Sequence, residues 1–370
     1  MSSPFRLFSS SWGPILTGAV VGVAAPLLVW YGNPGNMGIC VACFTRDTAG
    51  ALGLHRAAAV QYIRPELIGL VLGALLAALA FGEFRPRTGS APLARFVLGF
   101  FAVVGALVFL GCPWRAYLRL GGGDWNALLG VAGLAAGVGI GIVFLRSAFS
   151  LGRNRVATPA LGWLMPALML GLLALLLIDP KFGLDKDKNP IGPVFVTAPD
   201  GGPGAKHVGV ALGLAAGLLI GFLAQRSRFC TVGALRDIML LRDPHLLYGV
   251  VALVVFAAGT NAALGQFKAG FEGQPIAHTD HLWNFGGMML SGLSFTLAGG
   301  CPGRQLILAG EGDADAGIFA LGMLGGAAFA HNFSLASSAA GPSAFGPGAV
   351  IVGLVVCAII GLAMREPRQS

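Results

Sequence analysis

Ten apolar stretches, each near the length of a membrane-crossing helix, dominate the pattern of this chain. A bilayer core of about 30 Å requires about 20 consecutive apolar residues in a helix. Five stretches lie in each half of the chain, at roughly Trp12–Trp30, Glu66–Gly82, Leu93–Gly111, Asn126–Leu145, Gly162–Ile178, Val208–Ala224, Leu246–Leu264, Phe285–Gly299, Ala316–Ala330 and Ala349–Met364. The pattern predicts an all-α integral membrane protein.

An odd number of spans in each half sets the relative orientation of the halves. If the two halves are copies of one unit, the second enters the membrane from the opposite side, and the copies are related by an axis in the membrane plane. We therefore predict two inverted five-span repeats, residues 1–178 and 207–370. They are joined by an external linker, residues 179–206, which is rich in Pro, Gly, Asp and Lys.

Two short cysteine motifs, each present twice, support this duplication. Cys40 begins a Cys-x5-Arg-Asp sequence that ends at Arg46-Asp47, and Cys230 begins another that ends at Arg236-Asp237. Gly-Cys-Pro-x-Arg also occurs twice, with its cysteine at Cys112 and at Cys301. The two motifs recur at nearly the same spacing, about half the chain length, which is typical of an internal repeat.

Each motif lies where an apolar stretch is interrupted. Pro113 and Pro302 directly follow their cysteines, at positions suited to the first turn of a new helix. Non-helical backbone at membrane depth is tolerated where it is buried in protein or lines a cavity. We therefore predict short re-entrant half-helices around a central pathway, with Cys40, Cys112, Cys230 and Cys301 at or just before their N-termini.

A helix N-terminus favours an anion, and a thiol placed there is polarizable and reactive toward sulfur and selenium. The four repeated cysteines are therefore predicted to line a path for a small sulfur- or selenium-containing anion. The alternative is that they are small buried apolar residues, which we assign to the unrepeated Cys357. Cys43 completes a Cys-x-x-Cys with Cys40, but Gly233 occupies the matching position of the second copy.

The charged residues of the motifs have two further interpretations. Arg46-Asp47 and Arg236-Asp237 are predicted to form structural ion pairs that hold the half-helices in place. Arg115 and Arg304 follow their cysteines by three residues, and either gather anions at the mouths of the path or cap the structure. His278 and His281 are expected in a solvated outer loop, and no metal site or cofactor is predicted.

Composition and charge exclude several classes of protein. Of the 370 residues, 55% are hydrophobic and only 11% are charged, which excludes a soluble domain. The net charge of +8 comes from scattered single residues, which argues against nucleic acid. With the N-terminus cytoplasmic, most arginines fall on the cytoplasmic side, and both termini lie there. The arginines expected on the opposite side, Arg46, Arg56, Arg64, Arg115 and Arg119, lie on or near the first-half motifs.

The chain resembles the YeeE/YedE family of bacterial membrane proteins, most closely the YedE branch linked to selenium metabolism. The resemblance lies in Asn36-Met-Gly-Ile-Cys40, Cys43-Phe-Thr-Arg-Asp47, Gly53-Leu-His-Arg56, Gln61-Tyr-Ile-Arg-Pro-Glu66 and the two Gly-Cys-Pro-x-Arg motifs. It implies an inverted-repeat fold in the bacterial inner membrane, in which cysteine thiols hydrogen-bond a passing anion such as thiosulfate. It also implies a small cytoplasmic sulfur-carrier protein as a partner.

The leading hypothesis is a transporter or channel for such an anion, and not an enzyme. No Gly-x4-Gly-Lys-Ser/Thr sequence is present, which argues against direct coupling to ATP. The main alternative is a membrane thiol oxidoreductase or sulfurtransferase that uses Cys40 and Cys43. A third is a membrane scaffold for a cytoplasmic carrier protein.

Overall fold

The fold is a bundle of long helices with four short helices inserted between them, as seen in a computed structural model that describes residue 8 and residues 10–178 and 202–365. The long helices are α1 (Trp12–Trp30), α3 (Pro65–Ala80), α4 (Pro92–Phe109), α6 (Asn126–Arg146), α7 (Pro159–Ile178), α8 (Val210–Ser227), α10 (His245–Ala263), α11 (His281–Ala298), α13 (Ala314–Asn332) and α14 (Gly346–Ala363). The short helices are α2 (Val41–Ala51), α5 (Pro113–Gly121), α9 (Thr231–Leu241) and α12 (Pro302–Gly310). The remaining elements are a 3₁₀ turn, Ala58–Val60, and two antiparallel strands, β1 (Arg87–Thr88) and β2 (Arg155–Val156).

Each predicted apolar stretch coincides with one long helix. Within the described residues, nine segments are long and apolar enough to cross a membrane. They include every long helix except α11, which carries the buried polar side chains of Asn284, Ser291, Ser294 and Thr296. The chain is therefore a mostly helical, multi-pass membrane protein, and polar groups inside the bundle lower the hydropathy of the predicted stretch Phe285–Gly299.

The order of long and short helices is the same in the two halves. In each, one long helix is followed by a short one, two long ones, a second short one and two long ones. The two halves also pack reciprocally: α1 lies against α10 and α3 against α8, while α4 lies against α13 and α6 against α11. Corresponding helices therefore exchange equivalent contacts.

Close approach of these helices depends on glycine. A Cβ placed on Gly137 of α6 would lie 2.1 Å from the Met289 carbonyl oxygen of α11, and one on Gly217 of α8 would lie 2.4 Å from the Glu66 carbonyl oxygen of α3. Real Cβ atoms do not approach backbone this closely, so larger residues would force the helices apart. The glycine-rich faces thus pack backbone against backbone, as small residues do in membrane bundles.

The breaks before α5 and α12 have the same local cause. Leu110 (φ +65°) and Gly299 (φ +89°) both end a long helix in the left-handed conformation. A proline then begins the short helix, where its missing N–H is not needed. Each cysteine lies between these two signals in extended backbone, at the N-cap position.

Of the predicted linker, residues 179–206, only residues 202–206 belong to the part of the chain that the structure describes. The described end of it contacts the first half: Arg64 donates hydrogen bonds to the carbonyl oxygens of Pro203 (2.7 Å) and Lys206 (3.1 Å). The Val208 N–H donates to Asn33 Oδ1 at 2.9 Å. These bonds place the start of α8 beside the C-terminal end of α1.

Candidate functional site: two buried cysteine pairs

The first site is a pair of thiols contributed by two different short helices. Cys40 is the N-cap of α2, and its sulfur accepts a hydrogen bond from the Cys43 N–H at 3.4 Å. Cys112 is the N-cap of α5, and its sulfur lies 3.7 Å from that of Cys40. Both side chains are fully buried. The N-termini of α2 and α5 therefore converge on one point inside the bundle.

The second half builds the same arrangement from α9 and α12. Cys230 caps α9, and its sulfur accepts the Gly233 N–H at 3.2 Å and the Cys301 N–H at 3.3 Å. Cys301 caps α12, and its sulfur accepts the Arg304 N–H at 3.4 Å. The structure thus brings the four repeated cysteines together in two pairs, each made by one cysteine of each motif.

This geometry is suited to holding an anion. Three of the four sulfurs accept a backbone N–H from the first turn of the helix that they cap. The positive end of the helix dipole favours negative charge at the same point. A thiol can also donate its own S–H to an acceptor, so each pair offers donors together with a polarizable surface.

Cys43 belongs to the first site in space, although it has no counterpart in the motif pattern. Its sulfur accepts a hydrogen bond from Arg115 Nη1 at 3.4 Å, and its side chain is fully buried. The first site therefore contains three sulfurs and one guanidinium. Sequence reasoning missed this contact because nothing local links Cys43 to Arg115, which is 72 residues further along the chain.

The two repeated arginines have different surroundings. Arg115 is fully buried and donates to the backbone carbonyl oxygens of Asn36 (2.7 Å), Ile276 (3.0 Å) and Leu110. It clamps the segments around the first cysteine pair. Arg304 instead forms an ion pair with Glu311 at 3.2 Å, and its side chain keeps 13% of its exposure.

The ion pairs of the Cys-x5-Arg-Asp motifs are present in both halves. Arg46 and Asp47 are 2.6 Å apart and buried, whereas Arg236 and Asp237 are 2.8 Å apart and more exposed. The structure adds a partner that the motif did not indicate, because Arg64 also reaches Asp47 at 2.8 Å. The first-half helix is therefore held by one carboxylate between two guanidinium groups.

A further buried ion pair lies at the end of α5. Arg119 Nε donates to Asp124 Oδ2 at 2.6 Å, and neither side chain is exposed. Asp124 belongs to the Gly-Asp that follows the first Gly-Cys-Pro-x-Arg motif, and Asp313 is its counterpart. Asp313 pairs with Arg87 at 2.7 Å. The recurrence of Gly-Asp after both motifs marks the two aspartates in the sequence but not their arginine partners.

Cavities open at opposite ends of the bundle. One, of about 360 Å³, is lined by residues that include Asn36, Gln266, Lys268 and Gln274, beside the C-terminal end of α1. A cavity of about 280 Å³ at the other end is lined by Leu308 and by six charged residues, four arginines and two glutamates. These are Arg85, Arg87, Arg228, Arg304, Glu83 and Glu311. Since α8 begins beside the end of α1 and Arg228 follows its last residue, the cavities lie at its two ends.

The expectation for His278 is corrected by the structure. Its side chain is only 2% exposed, and its Nε2 lies 2.8 Å from the Val108 carbonyl oxygen. Burial lowers the pKa of His278 below its usual value. The loop folds back over the end of α4, a tertiary contact that the composition of the loop did not indicate. His281, the first residue of α11, is exposed.

The fold and site together define a polytopic helical membrane protein with thiols at the N-termini of short internal helices. Residues 226–362 match the family model described as Sulphur transport. This stretch contains Cys230 and Cys301 but neither cysteine of the first pair. The chain is also 34% identical over 101 residues to the thiosulfate transporter TsuA of Escherichia coli (strain K12). That alignment covers 27% of this chain and 28% of the relative.

Proposed function

We propose that this protein is a bacterial inner-membrane transporter or channel that passes a small sulfur- or selenium-containing anion between its two cysteine pairs. The observation that carries the proposal is the convergence of four capped helix N-termini on buried thiols. The similarity of residues 226–362 to sulphur transport proteins supports it. So does the sequence of the first-half motifs, which resembles the branch linked to selenium.

The two halves, residues 1–178 and 207–370, are proposed to be inverted repeats. The identical order of long and short helices supports this proposal, as do the reciprocal contacts of α1 with α10 and α3 with α8. If the two cysteine sites are inverted relative to each other, they form one path that an anion can enter in a similar way from either side of the membrane. The arginine-lined cavity is assigned to the cytoplasmic end, in agreement with the excess of positive charge expected there, and both termini are then cytoplasmic.

Each part of the proposed path offers chemical groups that suit a passing anion. Lys268 at one mouth and the arginines at the other attract an anion, while Glu311 neutralises part of the charge at the arginine-rich mouth. Between them, the cysteine pairs offer weak donors and helix dipoles, which bind an anion without holding it tightly. A small cytoplasmic sulfur-carrier protein is the partner we propose at the arginine-lined end.

The test is uptake into liposomes that contain the purified protein, with labelled thiosulfate, sulfite, selenite and selenide offered in turn. We expect Cys112→Ala and Cys301→Ala to abolish uptake of the preferred anion. Cys357→Ala is the matched control, because Cys357 is equally buried but contacts Ser294 (3.1 Å) on α11 and not the paired thiols. Wild-type uptake in both path variants would refute the proposal.

A second candidate is a membrane thiol oxidoreductase or sulfurtransferase that uses Cys40 and Cys43. The observation that favours it is the hydrogen bond from Arg115 Nη1 to the Cys43 sulfur at 3.4 Å, which places a positive charge beside that thiol. Loss of the oxidoreductase or sulfurtransferase activity in Cys43→Ser alone would favour this candidate over transport. A mixed disulfide trapped on Cys43 would also favour it. Full uptake by Cys43→Ser would exclude it.

A further inference from the structure

Trp114 connects the two cysteine sites. It lies two residues after Cys112, and its indole ring covers Gly303, two residues after Cys301: a Cβ built on Gly303 would lie 2.6 Å from Cζ2 and 3.1 Å from Nε1. The same ring packs edge to face on Phe229, which precedes Cys230, with centroids 5.8 Å apart. One side chain of the first Gly-Cys-Pro-x-Arg motif therefore lies against Gly303 of the second copy and against the residue that precedes Cys230.

The indole nitrogen of this ring has no hydrogen-bond partner among the described residues. Trp114 is fully buried, and in the described part of the chain no acceptor lies within hydrogen-bonding distance of its Nε1–H. A buried donor left unpaired is unfavourable, so native structures rarely contain one without a reason. An acceptor that occupies the site only transiently is such a reason.

Two hydroxyl groups lie in the same region. Tyr117, one turn after Trp114 on α5, is 5% exposed, and α5 packs against α9, the helix that Cys230 caps. Its hydroxyl also finds no hydrogen-bond partner among residues 10–178 and 202–365. Thr231, the first residue of α9, directly follows Cys230 and is fully buried, and its hydroxyl has no hydrogen-bond partner within the described ranges.

The chemistry of this group differs from that of the thiols. An indole N–H and a phenol O–H are stronger donors than an S–H, and neither carries a charge. They recognise an acceptor oxygen, whereas a thiol suits a soft sulfur or selenium atom. The arrangement therefore distinguishes anions that offer oxygen atoms, with or without an accessible sulfur or selenium atom, from anions that contain no oxygen.

We propose that Trp114, Tyr117 and Thr231 form an oxygen-binding filter beside the second cysteine pair, which selects oxyanions of sulfur or selenium over anions without oxygen. This inference rests on the proposed function and narrows its substrate class. Trp114 and Tyr117 donate to the oxygens of the passing anion, while Cys230 and Cys301 contact its softer atoms. Gly303 leaves the space that the indole ring requires.

The experiment compares binding of thiosulfate, and separately of selenite, to purified wild-type protein and to Trp114→Phe and Tyr117→Phe. Affinity is read from the anion-dependent rise in melting temperature, and for tryptophan variants also from the anion-induced change in fluorescence. We expect each variant to bind about tenfold more weakly, the effect of losing one hydrogen bond to a charged group. The melting temperature of Tyr117→Phe without anion should stay the same or rise, because an unpaired hydroxyl has been removed while the ring is kept.

Trp125→Phe and Tyr248→Phe are the matched controls, since both side chains are about half exposed and lie outside the filter. They should leave affinity unchanged, and Trp125→Phe should keep the anion-induced fluorescence change that Trp114→Phe loses. Unchanged affinity in Trp114→Phe and Tyr117→Phe would overturn the filter. If Cys301→Ala still abolishes uptake in that case, the path stands without the filter, whereas a wild-type protein that binds neither anion would overturn both.

Discussion

The indole ring of Trp114 occupies the space above Gly303, so the two Gly-Cys-Pro-x-Arg motifs meet through their variable position. One copy has the largest side chain there and the other has none. The two motifs are therefore complementary at this point, and a symmetric pair of tryptophans or glycines would either clash or leave a void. The contact also joins α5 and α12, the two short helices that carry Cys112 and Cys301.

Gly303→Ala tests this complementarity. The added methyl group would lie 2.6 Å from the indole ring, so Trp114 must shift, and we expect a loss of about 1–3 kcal/mol in stability. The measurement is thermal unfolding in detergent. Gly348→Ala on α14 is the control, because a Cβ there meets nothing within 4 Å and the change should be neutral or stabilising. Adding Trp114→Phe should recover part of the loss, and a strictly additive double variant would contradict the contact.

Asp47→Asn should be strongly destabilising. Asp47 is fully buried between Arg46 and Arg64, so the substitution leaves two buried guanidinium groups without a counter-charge, and we expect a loss of about 3–5 kcal/mol. Asp237→Asn is the matched control from the second motif. Because Arg236 keeps 32% of its side-chain exposure, that change should cost less than about 1 kcal/mol. Equal losses of stability in the two variants, measured by chemical or thermal unfolding, would show that the contribution of these ion pairs does not depend on their burial.

Mild oxidation should join Cys40 to Cys112. Their sulfurs are 3.7 Å apart, and a small shift brings them to the disulfide length of about 2.05 Å. With diamide as the oxidant, the two thiols lose two hydrogen atoms to the reagent and uptake should stop. Dithiothreitol should restore it.

The position of the disulfide is checked by peptide mass spectrometry. Cys112→Ala should prevent the Cys40 linkage, while Cys357→Ala should leave it unchanged. A linkage between Cys40 and Cys43 in the wild-type protein would contradict this prediction and would favour the enzymatic candidate.

Glu83 should make stability depend on acid pH. Burial alone would raise the pKa of Glu83, but the hydrogen bond from Gln225 and the ion pairs with Arg226 and Arg228 lower it below the usual value. The folded protein thus binds this proton less readily than the unfolded chain. Its contribution is complete above the unfolded carboxyl pKa of about 4.3 and is lost as the pH falls through the folded pKa.

The measurement is the melting temperature of wild type and Glu83→Gln from about pH 6 down to about pH 3. The difference between the two proteins should be largest at the upper end and shrink toward the lower end. A difference that stays constant with pH would show that Glu83 does not titrate in this range.

Local features of the sequence determined the helices of this protein. Hydropathy located the ten apolar stretches, since each reflects only the composition of its own segment. The breaks before α5 and α12 were also local, because Pro113 and Pro302 begin a new helix whatever surrounds them. The spacing of the motifs identified the four repeated cysteines as candidates for the site.

Only the tertiary structure decided which groups meet. The Cys40 thiol pairs with Cys112, Arg115 reaches Cys43, and Arg64 shares Asp47 with Arg46, all through contacts between separate segments. The burial of His278 and the placement of Trp114 over Gly303 have the same origin. Such contacts depend on how glycine-lined helices from the two halves pack together, and the residues around each partner do not encode that packing locally.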